Sequence, residues 1–179
     1  MTRSIIVVAA MALSACAVST PPYSPSIQNM QKFENAGAMK LGTFALANPE
    51  LNKVGLRASS LQSSVGKTFA DYLHDSTKQE LELAHRLSDD AAVELSAELL
   101  ENTVDASGFS VGTARLRARF MLRKGAEATY SKEISAENEW PSSFAGAIAI
   151  PEAANNYPIT VQKLLGNLAS DNDFINATR

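Results

Sequence analysis

The chain has 179 residues, of which 45% are hydrophobic and 20% charged, and it carries a formal net charge of −3 at pH 7. That length suits one domain with a sizeable core, while the mildly acidic balance lacks the concentrated basic excess of a nucleic-acid binder. A single cysteine excludes an internal disulfide, so stability must come from packing.

Taken from the N-terminus, Arg3 supplies a positive start and Ile5 to Leu13 form an apolar run, too short to cross a bilayer that needs roughly 20 residues. The run closes on Leu13-Ser14-Ala15-Cys16, which resembles the lipobox of bacterial lipoproteins. The resemblance implies that residues 1–15 are a removable signal peptide. It also implies that Cys16 becomes the acylated first residue of the mature chain, a membrane anchor rather than a nucleophile. The alternative is a stray thiol in a signal cleaved by another peptidase. Buried acyl chains contribute about 0.8 kcal/mol per CH₂, and two or more chains, palmitate among them, give stable anchoring. Ala17 follows the cysteine, where Asp is the inner-membrane retention signal of enterobacterial lipoproteins. The resemblance therefore favours the outer membrane, with the domain on the periplasmic side.

Residues 16–26 carry the lipidated cysteine and then Pro21, Pro22 and Pro25 among Ser and Thr, a composition that predicts an extended tether. The single α+β domain is expected over residues 27–179. Ser26 to Phe33 reads as a short helix, and Met39 to Leu46 as a first strand ended by the Asn48-Pro49 turn. Between Ser64 and Leu87, apolar residues recur at Val65, Phe69, Tyr72, Leu73, Leu81, Ala84 and Leu87, near the helical period. Lys67/Asp71 and Lys78/Glu82 lie four apart, and His85 and Arg86 fall near the negative end of that helix.

After Ser88-Asp89-Asp90 the period drops to two, with Val93, Leu95, Ala97 and Leu99 on one side. The next strand sets Ala114, Leu116, Ala118, Phe120 and Leu122 against Arg115, Arg117, Arg119 and Arg123. Lys124-Gly125 supplies a turn into a third alternating strand ended by Pro141. Pro151 suits the start of a last helix with a stripe at Tyr157, Val161, Leu164, Leu165 and Leu168, and Pro158 marks a kink or the true beginning. The order predicts an α+β two-layer sandwich, its sheet mostly antiparallel, with two main helices on one face.

Few residues offer chemistry. Arg115, Arg117 and Arg119 are candidate anion- or lipid-binding residues, since guanidinium groups recognise phosphate bidentately. Glu94 and Glu98 before them, and Glu133, Glu137 and Glu139 after them, favour a cross-strand charge pattern instead. Gly66-Lys67-Thr68 matches the end of a P-loop, but Leu61 stands where its first glycine belongs. His74 and His85 are eleven apart with no third ligand, Asp71 and Asp75 flank His74 on an exposed helix face, and no metal or other cofactor is expected. Ser59-Ser60 and Ser63-Ser64 read as loop and cap residues, with no nucleophile elbow nearby. Trp140, Phe144 and Tyr157 suit the core, or alternatively an apolar pocket for an acyl chain.

The lipobox, the helix containing Phe69-Ala70-Asp71-Tyr72-Leu73 and Glu80-Leu81, and the terminal Val161-Gln162-Lys163-Leu164-Leu165 with Asp173-Phe174 together resemble the YajG-like outer-membrane lipoproteins of proteobacteria. The wider pattern is shared with auxiliary lipoproteins of ABC-type lipid transporters and, more distantly, with the lipoprotein of lipopolysaccharide assembly. The resemblance implies a non-enzymatic envelope lipoprotein, held to the membrane through Cys16, whose domain docks a protein or lipid partner. The alternative is an auxiliary subunit of a lipid-transport or lipopolysaccharide-assembly system. No catalytic residue carries over.

Overall fold

A computed structural model describes residues 17–179; the expected signal peptide and Cys16 lie outside the described residues. The main sheet has the order β2-β5-β6-β7, formed by Lys40–Leu46, Val93–Asp105, Val111–Lys124 and Glu127–Pro141. The last three strands make an antiparallel meander, and β2 joins β5 in parallel. Helices α2 (Phe69–Leu83) and α3 (Gly146–Leu168) cover one face, α2 over β2 and α3 over β6 and β7. Period-two alternation aims Leu95, Ala97, Leu99, Leu116, Phe120 and Leu122 into that layer, where all are buried. The fold is the expected α+β two-layer sandwich, extended by elements the sequence pattern did not show.

The segment expected to be a free tether is part of the fold. Ala17–Ser19 forms β1, pairing in parallel with β4 (Ser59–Gln62), which in turn pairs with β3 (Val54–Leu56) in a second, three-stranded sheet. Tyr23 and Thr20 are buried. The prolines block a regular ladder only from Pro21 onward, so the three residues before them are free to pair. The same pairing places Ser59 and Ser60 in a strand rather than a loop.

Helix α1 (Ile27–Phe33) starts where expected, with the Ser26 side chain as N-cap. A single buried carboxylate binds this region together. Oε1 of Glu80, fully buried on α2, accepts hydrogen bonds from the Tyr23 hydroxyl (2.5 Å), the Ser26 amide (3.0 Å) and the Asn29 side chain (3.0 Å). Asn29 also donates to the carbonyl of Gln162 on α3.

Helix α2 is shorter than its apolar stripe. It starts at Phe69 because Thr68 and Asp71 form a reciprocal capping box, preceded by Gly66 at φ +60. A Cβ at Gly66 would lie 2.5 Å from the Asp71 carboxylate, so the tight entry requires glycine. It ends at Leu83 because His85 turns left-handed (φ 56), letting the Arg86 amide reach the Leu81 carbonyl (2.8 Å) and the His85 amide that of Glu82 (3.1 Å).

Helix α3 runs through both prolines. The expected start at Pro151, or at Pro158, is corrected to Gly146, with Ala149, Ala153, Tyr157, Val161, Leu164, Leu165 and Leu168 buried along one stripe. That continuous apolar contact outweighs a proline's cost of about 3 kcal/mol. A last helix, α4 (Asn172–Ala177), seats Phe174 in the core.

Candidate functional site

The arginine row is a ladder of ion pairs on the wet face of the sheet. Arg115 meets Glu137 at 2.7 Å, Arg117 meets Glu133 at 2.7 Å and Glu101 at 3.6 Å, and Arg119 meets Glu98 at 2.9 Å and Glu133 at 2.7 Å. Glu133 is held below the ordinary carboxylate range by hydrogen bonds from Arg119 and Arg117, and the Arg117 guanidinium is pushed up by its bond to Glu133. Glu94 pairs instead with Lys40 (3.7 Å).

Glu101 is the partner the alternation hides. A bulge between Leu99 and Glu101 shifts the register of β5, so Glu101 turns outward to Arg117 while Asn102 turns in. There Asn102 donates to the Leu51 carbonyl (2.8 Å) and accepts from the Tyr157 hydroxyl (2.9 Å).

Guanidinium groups engaged in this way exert little net attraction on an incoming phosphate, and what remains is screened beyond roughly 8 Å at physiological salt. Changing Arg115, Arg117 and Arg119 together to Gln is therefore expected to leave binding of the unlipidated Cys16→Ser protein to anionic vesicles unaltered. Co-sedimentation at low and physiological salt checks this; strong binding lost only in the triple variant would make the row a lipid site.

The other candidate positions are occupied by structural roles. The Asp71 carboxylate accepts from the amides of Lys67 and Thr68, both at 2.8 Å, and from the Thr68 hydroxyl. The Lys67 amide is the main cause of its lowered pKa. Asp75 accepts from Gln79 (2.7 Å), and His74 stands edge-on to Phe44 with ring centroids 5.0 Å apart. Ser64 meets Thr20, hydroxyl to hydroxyl, at 3.1 Å, joining the loop to the N-terminal segment. Among the described residues no group of three or more His, Cys, Asp or Glu side chains is placed to hold a metal ion.

The three aromatics considered for a pocket do not converge. Tyr157 is buried beside Phe69 and Tyr72, with centroids 5.0 and 5.7 Å away. Trp140 is buried against Gly112, where an added Cβ would lie 2.5 Å from the indole. Phe144, in contrast, is 73% exposed and stacks on the equally exposed Phe109 at 5.3 Å, with an interplanar angle of 3°.

Arg57, in the turn between β3 and β4, holds this pair in place. Its guanidinium donates to the carbonyls of Ala106 (2.6 Å), Phe144 (2.6 Å), Ser143 (2.7 Å) and Gly108 (3.3 Å), clamping the two loops that carry the rings. Neither Arg57 nor Phe109 sits in a periodic pattern; the isolated Phe109 between Gly108 and Ser110 was the only local sign.

No family model and no curated protein matches the chain. Solved structures do. A Xanthomonas campestris protein of family DUF330 shares 12% identity at a TM-score of 0.60, over 89% of this chain and 96% of the other. A Chlamydia trachomatis protein gives 10% identity and a TM-score of 0.49 over 78% and 97%. A minor lipoprotein from Acinetobacter baumannii gives 15% and 0.41 over 73% and 87%. At such identities the likeness concerns architecture, and the chain shares the fold of the Xanthomonas DUF330 protein over most of both lengths.

Proposed function

We propose that this chain is a non-enzymatic lipoprotein of the YajG-like kind, anchored to the outer membrane through acylated Cys16, whose periplasmic domain docks an envelope protein or another envelope component. The observation that carries the reading is the Leu13-Ser14-Ala15-Cys16 motif directly ahead of a folded domain. Two further features support it. The described residues contain no helix long and apolar enough to cross a membrane, which is compatible with attachment through a lipid. Asp71 is engaged in a helix cap, and Arg115, Arg117 and Arg119 are engaged in ion pairs.

Cys16→Ser is expected to abolish acylation and membrane retention while leaving the far-ultraviolet circular dichroism and thermal midpoint unchanged. Fractionation and mass spectrometry of the N-terminal peptide check this, and an unchanged outer-membrane fraction would refute the anchor. Crosslinking in intact cells then identifies the partner. A stable protein adduct supports docking, whereas phospholipid copurifying with the domain would replace it with the lipid-transport reading.

A further inference from the structure

The exposed stacked rings lie at the end of the molecule where the described residues begin. Ala17, one residue after the cysteine of the lipobox, pairs with Ser60. Ser60 lies three positions from Arg57, whose guanidinium holds the carbonyls of Ala106 and Phe144. A strand spacing of about 4.8 Å, three residues of chain and one arginine side chain put Ala17 on the order of 20 Å from the rings. Because β1 and β4 run in parallel away from this end, Ala17 lies at the end of the domain that carries the rings rather than across the domain from them.

Phe109 and Phe144 are each 73% exposed, and two further exposed apolar residues lie within four positions of them in sequence, Ile148 (55%) in the first turn of α3 and Val111 (48%) at the start of β6. The opposite end, at the Lys124-Gly125 hairpin, lies about 40 Å away along β6.

We propose that Phe109, Phe144, Val111 and Ile148 form a membrane-docking surface that inserts into the lipid interface beside acylated Cys16 and sets the orientation of the domain on its bilayer. The inference rests on acylation of Cys16. With the lipid fixed next to the patch, the bilayer surface is the apolar phase always within reach. Insertion then costs little further translational freedom, because the anchor has already brought the patch to the surface. Aromatic rings suit the headgroup boundary, and the clamp from Arg57 presents them already ordered, which lowers the entropic cost of docking.

Cys16 is the only cysteine, and acylation consumes its thiol. A cysteine introduced into the lipidated protein is therefore a unique site for a polarity-sensitive fluorophore. Ala145→Cys places the label beside Phe144 without removing a ring, and Lys124→Cys places it at the far hairpin; both positions are exposed. The full lipidated protein is reconstituted into vesicles of phosphatidylethanolamine and phosphatidylglycerol.

The Ala145 label is expected to shift to the blue and to be quenched by brominated acyl chains, while the Lys124 label does neither. Adding Phe109→Ser and Phe144→Ser should abolish the shift and the quenching while the protein still floats with the vesicles. A solvent-like Ala145 label on vesicle-bound wild-type protein would overturn the proposal. So would a shift that grows with protein density without brominated-lipid quenching, which would make a second copy the occupant. Failure of the anchor reads out separately, as protein that does not float and whose Cys16 lacks acyl mass.

Discussion

Phe120→Ala is expected to destabilise the domain by about 3–5 kcal/mol, the usual cost of deleting a buried phenyl ring. Phe120 is fully buried on the central strand β6, opposite Ala97 of β5, and its ring fills the layer between sheet and helices. Ala97 and the neighbouring Ala118 are too small to close the space left behind. Arg117, three residues away on the other face, loses only solvated ion pairs when changed to alanine, so its denaturation midpoint should scarcely move. Urea unfolding followed by circular dichroism compares the two, and the reverse ranking would place the wrong face of β6 against the helices.

Glu80→Leu carries the second large effect. Leucine fits the apolar surroundings but leaves the Tyr23 hydroxyl, the Ser26 amide and the Asn29 side chain without their shared acceptor. Each stranded donor costs about 1–3 kcal/mol, so a loss of at least about 3 kcal/mol is expected. Glu80→Gln keeps the accepting oxygen and should recover most of it.

The loss should also be local. Hydrogen exchange over residues 17–29 is expected to accelerate in the leucine variant more than in the β6-β7 hairpin, because Glu80 accepts three of the hydrogen bonds that join that segment to α2, leaving the bond from the Tyr72 hydroxyl to the Pro21 carbonyl. Equal exchange in both regions, or equal loss in the Gln and Leu variants, would show that the segment is held by packing rather than by this carboxylate. The result bears on the proposed function, since β1 begins one residue after Cys16, the proposed anchor.

The meander, the apolar stripe of α3 and the wet arginine face were legible in the sequence because each repeats a period set by backbone geometry alone. Leu95, Phe120 and Leu165 needed no partner to be recognised as inward-facing. The proposed signal and the lipobox-like motif are linear peptides whose residue order is their whole content, and they lie outside the described residues.

What the tertiary structure decided lies where the period breaks or where contacts join distant residues. The bulge at Leu100 costs β5 its phase, sending Glu101 to Arg117 and Asn102 to Tyr157, and one added residue leaves no compositional trace. Glu80 reads as one polar residue on an amphipathic helix, and only the return of Tyr23 and Asn29 makes it a buried hub. Ala17–Ser19 is too short to form a strand by propensity and becomes one because Ser60–Gln62 offers it an edge. Arg57, Phe109 and Phe144 are separated by tens of residues, so the clamped aromatic end of the domain exists only once the loops are brought together. Periodicity reports which side of an element faces the core; which elements meet, and what they expose at the domain's ends, is set by long-range packing that no local pattern encodes.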